Sequence, residues 1–593
     1  MRSRADHRIL TGHLGYGAGR GGAVVVAVPD GVAPARVEVV TAAEAAEAIE
    51  TGTTAETIAT AAGRDLAIGP VQTVPGWTVG PFVRCELPPD LPAGRYAVRA
   101  LAPDGTTAVS QPFAVEPDGV QRQTMSDVLA YFKAMRSSGE IDRKDRTAAF
   151  FGDDSGRTVD ARGGWLDASG DTSKFLSHLT YTRTMSPQQT PLCAWAMLAA
   201  RDALAEQHPA LTRSLSTRLR DEALWGADFL VRFQDPAGYF YVGIFDALTK
   251  QLDERVINAP LPDCVRTDRY QAAYRHGGGL AIAALARASR ADDDGDFPRA
   301  EYLRAARAGF AHLEKHNTDY LWDGAETVLD DYCALLAAVE LVAAEDHTDS
   351  ADAVVAADRR AANLIARYRR PADGGPGWFA ADAEERPFFH AAEPGLPILA
   401  LLRFAEVLPF ARHAEAAREL AVEALCDVVR RTDAVPNPFG YPRQRVQPLD
   451  GPAKDAFFFP HSNETGYWWQ GENAGIASLS AAAAAVLRQA GDLLTDDRRA
   501  RLAAFADDQL AWILGRNPFD ACLLAGRGRG NVDYHSDFPN LPGGIVNGIT
   551  SGYTDENDIA FLPADAPEGD GWRWAEQWIP HTGWFLLAVA SAS

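Results

Sequence analysis

Two carboxylates four residues apart, Asp167 and Asp171, lie in the stretch Gly163-Gly-Trp165-Leu-Asp167-Ala-Ser-Gly-Asp171-Thr-Ser-Lys174-Phe. Neither a two-residue nor a 3.6-residue apolar period runs through it, so it reads as a loop. Its glycines, serine and alanine let the backbone turn tightly enough to bring both acids to one point. Two acids that meet at one point can hold a water or a cation. An Asx-rich turn capping the next helix fits the same residues, and local pattern alone does not separate the two readings. A second group, Tyr467-Trp468-Trp469-Gln470-Gly-Glu472-Asn473, combines aromatic faces with amides and a carboxylate. Aromatic rings stack on the C–H face of a pyranose while the polar groups fix hydroxyls. The alternative puts one Trp in the core and uses Glu472 as a helix cap.

The first stretch resembles the Asp-Ala-Gly-Asp signature of family 9 glycoside hydrolases, with one extra residue (Ser169 or Gly170) making the spacing i,i+4. That resemblance implies an inverting hydrolase on an (α/α)6 barrel, with Asp171 as base and Asp167 helping to hold the attacking water. It extends to Leu514-Gly-Arg-Asn-Pro, which resembles the segment closing a barrel helix. At Gly530-Asn-Val-Asp-Tyr-His535 and Pro542-Gly-Gly-Ile-Val-Asn547-Gly many relatives carry a His-His-Arg element and a Gly-Gly-Pro-Asp-like turn; His535 is the one match to the former, and the Arg is absent. In Trp572-Arg-Trp574-Ala-Glu576-Gln-Trp578 the resemblance makes Glu576, at the start of the final helix, the general acid, with Glu472 as runner-up. Aromatic neighbours at 572, 574 and 578 lower the local polarity and keep a carboxyl protonated. The substrate contacts expected from these stretches are Trp165, Trp468, Trp469, Gln470, Glu472, Asn473, His535 and Trp574.

The elements that must position these groups fall into two zones of a 593-residue chain, long enough for more than one domain. Residues 8–116 carry short strand-like runs such as Ala23-Val-Val-Val-Ala-Val and Gly94-Arg-Tyr-Ala-Val-Arg, punctuated by Pro-Asp-Gly and Pro-Ala-Gly turns, which predicts a β-sandwich. Its opening Thr11-Gly-His-Leu-Gly-Tyr resembles the immunoglobulin-like module that often precedes family 9 catalytic domains. Residues 120–593 carry twelve stretches of helical periodicity: about 125–136, 188–205, 214–234, 271–289, 297–315, 328–345, 351–369, 395–408, 411–431, 473–490, 495–514 and 576–592. Twelve helices make the six hairpins of an (α/α)6 barrel. The expected whole is a multidomain, mainly α chain: an immunoglobulin-like β-sandwich, then the barrel. Long connections at 137–187, 235–270, 370–394, 432–472 and 515–575 alternate with short ones, so they should gather on one rim and form a cleft.

A net charge of −23 argues against nucleic acid or an anionic membrane as partner. An oligosaccharide meets no such objection. No apolar run spans a bilayer, the first residues lack an apolar signal core, and six scattered cysteines form no C-x-x-C pair, so a cytoplasmic protein with reduced thiols is expected. No metal or cofactor is expected. The histidines share no ligand spacing, and Asp292-Asp-Asp-Gly-Asp lacks the rest of a calcium loop, which leaves structural Ca²⁺ unsupported. Gly17-Ala-Gly19-Arg-Gly-Gly22 fits a dinucleotide fingerprint, but a strand follows where a helix is required.

The expected activity is hydrolysis of a glycosidic bond with inversion, exo-acting on short β-linked oligosaccharides. An endo-acting cellulase or β-glucanase shares the machinery. A polysaccharide lyase on the same barrel would want a Tyr/His or Lys base rather than two Asp, and a silent sugar-binding protein would be expected to lose the acids.

Overall fold

The computed structural model describes residues 7–50, 63–345, 350–534 and 539–592. Strands β1 (Arg8–Leu10), β2 (Tyr16–Gly17), β3 (Gly22–Ala27), β4 (Arg36–Thr41), β5 (Arg64–Asp65), β6 (Ile68–Gln72), β7 (Phe82–Leu87), β8 (Gly94–Leu101), β9 (Thr107–Val109) and β10 (Phe113–Glu116) form two sheets. One runs β1-β3-β7-β6; the other runs β2-β10-β8-β4-β5, with β9 on β8. Alternate residues of both sheets meet in one apolar layer: Val24, Val26, Val83 and Cys85 from the first, Val37, Val39, Val98 and Phe113 from the second. This is a sandwich of the immunoglobulin-like kind. It is not all-β, because Ala42–Glu50 forms a helix where an Ala/Glu run offers helix formers and no β-branched residue before Ile49.

The remainder is helical: α1 (Gly119–Met135), α2 (Thr190–Gln207), α3 (Pro209–Arg232), α4 (Gly278–Ala288), α5 (Arg299–His316), α6 (Val328–Ala344), α7 (Ala351–Arg367), α8 (Leu396–Val407), α9 (Ala414–Asp433), α10 (Asn473–Gln489), α11 (Asp496–Ile513), a single turn α12 (Trp572–Ala575) and α13 (Ile579–Ser591). Neighbour contacts run α2-α4-α6-α8-α10-α13 and back to α2, a closed inner ring, with α1, α3, α5, α7, α9 and α11 outside it. Composition sorts the two layers. Inner helices such as α4, α6 and α10 are apolar on nearly every face and buried along their length, whereas outer α7 buries one face, Ala353, Ala356, Ala357, Arg360, Ala361 and Leu364, and leaves the other partly or fully exposed. The result is an (α/α)6 barrel.

Connections from an inner to the following outer helix are short, as at His208 between α2 and α3 or 490–495 between α10 and α11. The long ones lead from an outer helix to the next inner one, so they share the rim where inner helices begin. The expected alternation is therefore present. The final helix begins at Ile579 rather than 576, because Pro580 belongs to a first turn and not to a helix interior. The helix expected from 271 begins at Gly278, after a 3₁₀ turn at Tyr274–His276.

The sandwich is fastened to the barrel by Trp77, whose ring lies 5.2 Å from Phe457 and 6.1 Å from Trp512. Arg84 pairs with Asp508 at 2.9 Å across the same interface. Among the described residues no helix is long and apolar enough to cross a membrane.

Candidate active site

The extra residue of the acid-bearing loop is absorbed by a tight hairpin. Ala168 N–H donates to Asp171 O (3.3 Å) and Asp171 N–H donates to Ala168 O (3.2 Å), leaving Ser169-Gly170 as the turn. Gly170 takes φ +85°, a conformation that favours glycine. Asp171 Oδ1 accepts from Ser173 N–H at 2.8 Å, so the loop contains an Asx turn as well as a pair of converging acids.

A second strand of chain holds this hairpin against Glu576. Ser169 N–H donates to Gln577 O (2.8 Å), Gln577 N–H donates to Ser169 Oγ (2.7 Å), and Ile579 N–H donates to Asp167 O (3.1 Å). Underneath, Lys174 is wholly buried. Its Nζ donates to Ala161 O and Gly163 O and pairs with Asp145, which also binds Arg255; Arg255 in turn donates to Thr172 O at 2.6 Å. The motif lysine thus anchors the loop from below.

Asp167, Asp171 and Glu576 line one cavity of about 500 Å³ at the rim where the inner helices start, within the range that buries a small ligand. Burial raises all three carboxyls, and their mutual repulsion adds to it for Asp167 and Glu576. Asp167 and Glu576 lie well above the ordinary carboxylate range. Asp171 is raised less steeply, because the Ser173 contact and the charges of Arg255 and Lys250 favour its anion. One group is therefore set to ionise first while another stays protonated, the division that acid–base chemistry needs. Glu576 does not open the final helix; it sits between α12 and α13, so no helix dipole bears on it as an N-terminal residue.

The expected sugar contacts divide. Trp468 and Gln470 line the cavity. Gln470 Oε1 accepts from Trp468 Nε1 (3.0 Å) and Asn547 Nδ2 (3.2 Å), so what it offers a ligand is Nε2. Trp469 is turned away: His461 stacks at 3.9 Å and the Arg573 guanidinium lies 4.1 Å from the ring, which leaves no face for a sugar. Trp574 is fully buried beside it. Trp165 is also fully buried, donating to Glu222 at 2.8 Å and packing edge-on against Phe132. Glu472 accepts from Phe459 N–H (3.1 Å) and Gln444 Nε2 (3.4 Å), and burial pushes it up to about 8. Asn473 is buried, donating to Val546 O at 2.8 Å. His535 lies outside the described residues; Tyr534, just before it, lines the cavity.

Several lining groups carried no sequence signal: Leu248, Asp263, Cys264 and Arg573. Leu248, Asp263 and Cys264 have φ of 59°, 59° and 60°, left-handed conformations that non-glycine residues hold where surrounding contacts fix them, often at functional sites. Gln189, immediately before α2, donates to Asp167 Oδ1, and Trp578 Nε1 approaches the same atom at 3.3 Å. Among the described residues no group of three His, Cys, Asp or Glu could hold a metal ion.

A helical barrel with three carboxyls sharing one rim cavity is a glycosidase arrangement, and the sequence profile of glycosyl hydrolase family 9 matches residues 122–536. The chain belongs to that family and is a glycoside hydrolase. Among solved structures, a metagenome-derived glycoside hydrolase family 9 endoglucanase is similar over 99% of both chains, with 18% identity and a TM-score of 0.63. The family 9 endoglucanase J30 is similar over 97% of this chain and 99% of its own, with 19% identity and a TM-score of 0.60. At such identities the likeness is one of fold. A search of curated proteins found no match.

Proposed function

We propose that the enzyme inverts the anomeric centre, with Asp171 as general base, Asp167 orienting the water and Glu576 protonating the departing oxygen. The observation that carries this is the pairing of the Asp167–Asp171 hairpin with the strand bearing Glu576, which brings buried Asp167 and half-buried Asp171 and Glu576, three carboxyls of unequal acidity, to one cavity. A water held between base and sugar requires carboxyls roughly 6.5–9.5 Å apart, against about 5 Å for a retaining enzyme. Proton NMR in the first minutes of reaction should show the inverted anomer; a retained anomer or a trapped glycosyl-enzyme rules the assignment out.

The substrate proposed is a short β-linked oligosaccharide attacked from one end. What supports end-attack is that residues of three long loops line the cavity: Leu248 and the Asp263–Cys264 turn from one, Tyr467 from a second and Trp572 from a third. A second reading, endo-attack on a β-glucan, is favoured by the two structural neighbours, both endoglucanases. Carboxymethyl cellulose separates them. End-attack leaves viscosity nearly unchanged while reducing ends accumulate slowly, and endo-attack lowers viscosity at once.

A further inference from the structure

His178 lines the catalytic cavity and takes no part in the acid–base chemistry. It follows the short strand Lys174–Phe175, whose lysine anchors the acid hairpin and whose phenylalanine is a platform. The strand pairs antiparallel with Gly243–Phe245, with Phe175 opposite Gly243. A Cβ on Gly243 would run into the Phe175 ring, so that ring rests on the neighbouring backbone and has little room to turn. The His178 imidazole stacks on it, centroids 4.4 Å apart and planes 14° from parallel. The backbone is held as firmly. Ser177 pairs with Gln188, Ser177 Oγ donates to His178 O at 3.1 Å, and Leu179 O accepts from Thr182 N–H (2.9 Å) and Thr182 Oγ1 (2.7 Å). Leu179 itself turns the chain at φ +56°, a conformation that a leucine holds where its surroundings impose it. Gln189 N–H donates to Leu176 O at 3.0 Å, so the segment carrying His178 lies beside the one whose Gln189 side chain holds Asp167.

Among the described residues neither ring nitrogen of His178 has a hydrogen-bond partner. The ring is half-buried, and burial pushes its pKa down to about 4. It is therefore neutral at the pH where raised carboxyls work, with one N–H and one lone pair. A polar group fixed in a cavity wall without a protein partner is satisfied by what fills the cavity. We propose that His178 is a sugar-binding residue of this site, its imidazole hydrogen-bonding a hydroxyl of the sugar and so selecting for sugars that carry one there. The inference rests on the reading of this cavity as the catalytic one. A hydroxyl both donates and accepts, so either tautomer of the ring serves. With its plane set by Phe175 and its backbone by the Ser177 and Leu179 contacts, the ring loses little freedom on binding. It joins Gln470 Nε2 as a polar group that the fold leaves open to a ligand.

The test removes the nitrogens and keeps a ring to stack on Phe175. Wild type and His178→Phe are compared on the dinitrophenyl glycoside that wild type cleaves fastest and on its monodeoxy analogues, one for each hydroxyl. The intrinsic effect of a missing hydroxyl on the reaction cancels between the two enzymes. At the hydroxyl that His178 holds, deoxygenation should cost wild type about 3- to 10-fold more in kcat/KM than it costs His178→Phe, the worth of one hydrogen bond. At the other positions the two enzymes should lose equally. Partial misfolding, or a merely structural role for the ring, lowers every rate by one factor and leaves these ratios alone. Should His178→Phe not fold, His178→Ala supplies the same comparison. Equal penalties at every position overturn the proposal. Should Asp171→Asn keep the wild-type rate on the parent glycoside, the reaction lies elsewhere, and the reading of this cavity fails and the proposal with it.

Discussion

Gln189 donates its side-chain amide to the Asp167 carboxyl from the residue that leads into the first inner helix of the barrel. Asp167 is thereby tied to the rigid ring as well as to its own hairpin. Gln189→Leu should lower kcat about tenfold or more through loss of orientation with little change in KM. Steady-state kinetics beside a melting curve separate this from a folding defect.

Glu576→Gln and Asp171→Asn should fail differently. Without the acid, a dinitrophenyl glycoside keeps much of its rate while an unactivated glycoside loses about 10²–10⁴-fold. Without the base, both lose comparably. Rates on the two substrates, measured for both variants, decide it. Rescue confined to Glu472→Gln would move the acid to Glu472.

The pH optimum should sit above that expected of unperturbed carboxylates, since the ionised Asp171 and the protonated Glu576 are both raised. Stability carries the opposite consequence. Between the ordinary and the raised values the folded chain holds protons that the unfolded chain has released, so stability falls as pH rises through this window. Glu576→Gln removes its share of that slope. It should melt like wild type at pH 3 and above wild type at pH 7 by scanning calorimetry.

Glu472 supplies a contrast, being raised to about 8 with partners that are all protein. Glu472→Gln should leave KM unchanged. Between the ordinary carboxylate value and about 8 the folded wild type holds a proton that the unfolded chain has released, so the variant should melt like wild type at pH 3, above it at pH 6, and further above it at pH 9. A raised KM would restore Glu472 as a sugar contact.

Lys174→Met should destabilise the protein by about 1–3 kcal/mol for each buried carbonyl it leaves unpaired, Ala161 O and Gly163 O. Asp145 keeps Arg255 as its partner under the hairpin. Urea unfolding measures the loss.

Helix periodicity was legible because each barrel helix buries a continuous face; the run read at 328–345 is Val328–Ala344 in the structure. The boundary before Glu576 was misread although Pro580 marked it, since an Ala-rich continuation outweighed the proline signal. Loops have no period, so nothing in Trp468-Trp469 tells which ring faces the cavity. That is decided by His461 and Arg573, which cover one ring of the two. Gln189 and Asn547 were illegible for the same reason: their partners are distant in sequence and meet only through the ring and its rim.

The ring closes where α13 packs between α10 and α2. During synthesis, residues 190–207 must therefore wait for residues 579–591 before their last lateral neighbour exists. Contacts so far apart along the chain form slowly, and the apolar flank of α2 stays uncovered meanwhile. Glu576 emerges just ahead of that closing helix, so the nascent chain acquires its acid and its sealed barrel in the same few seconds, and a ribosome-stalled intermediate lacking them should bind holdase chaperones and turn over no sugar.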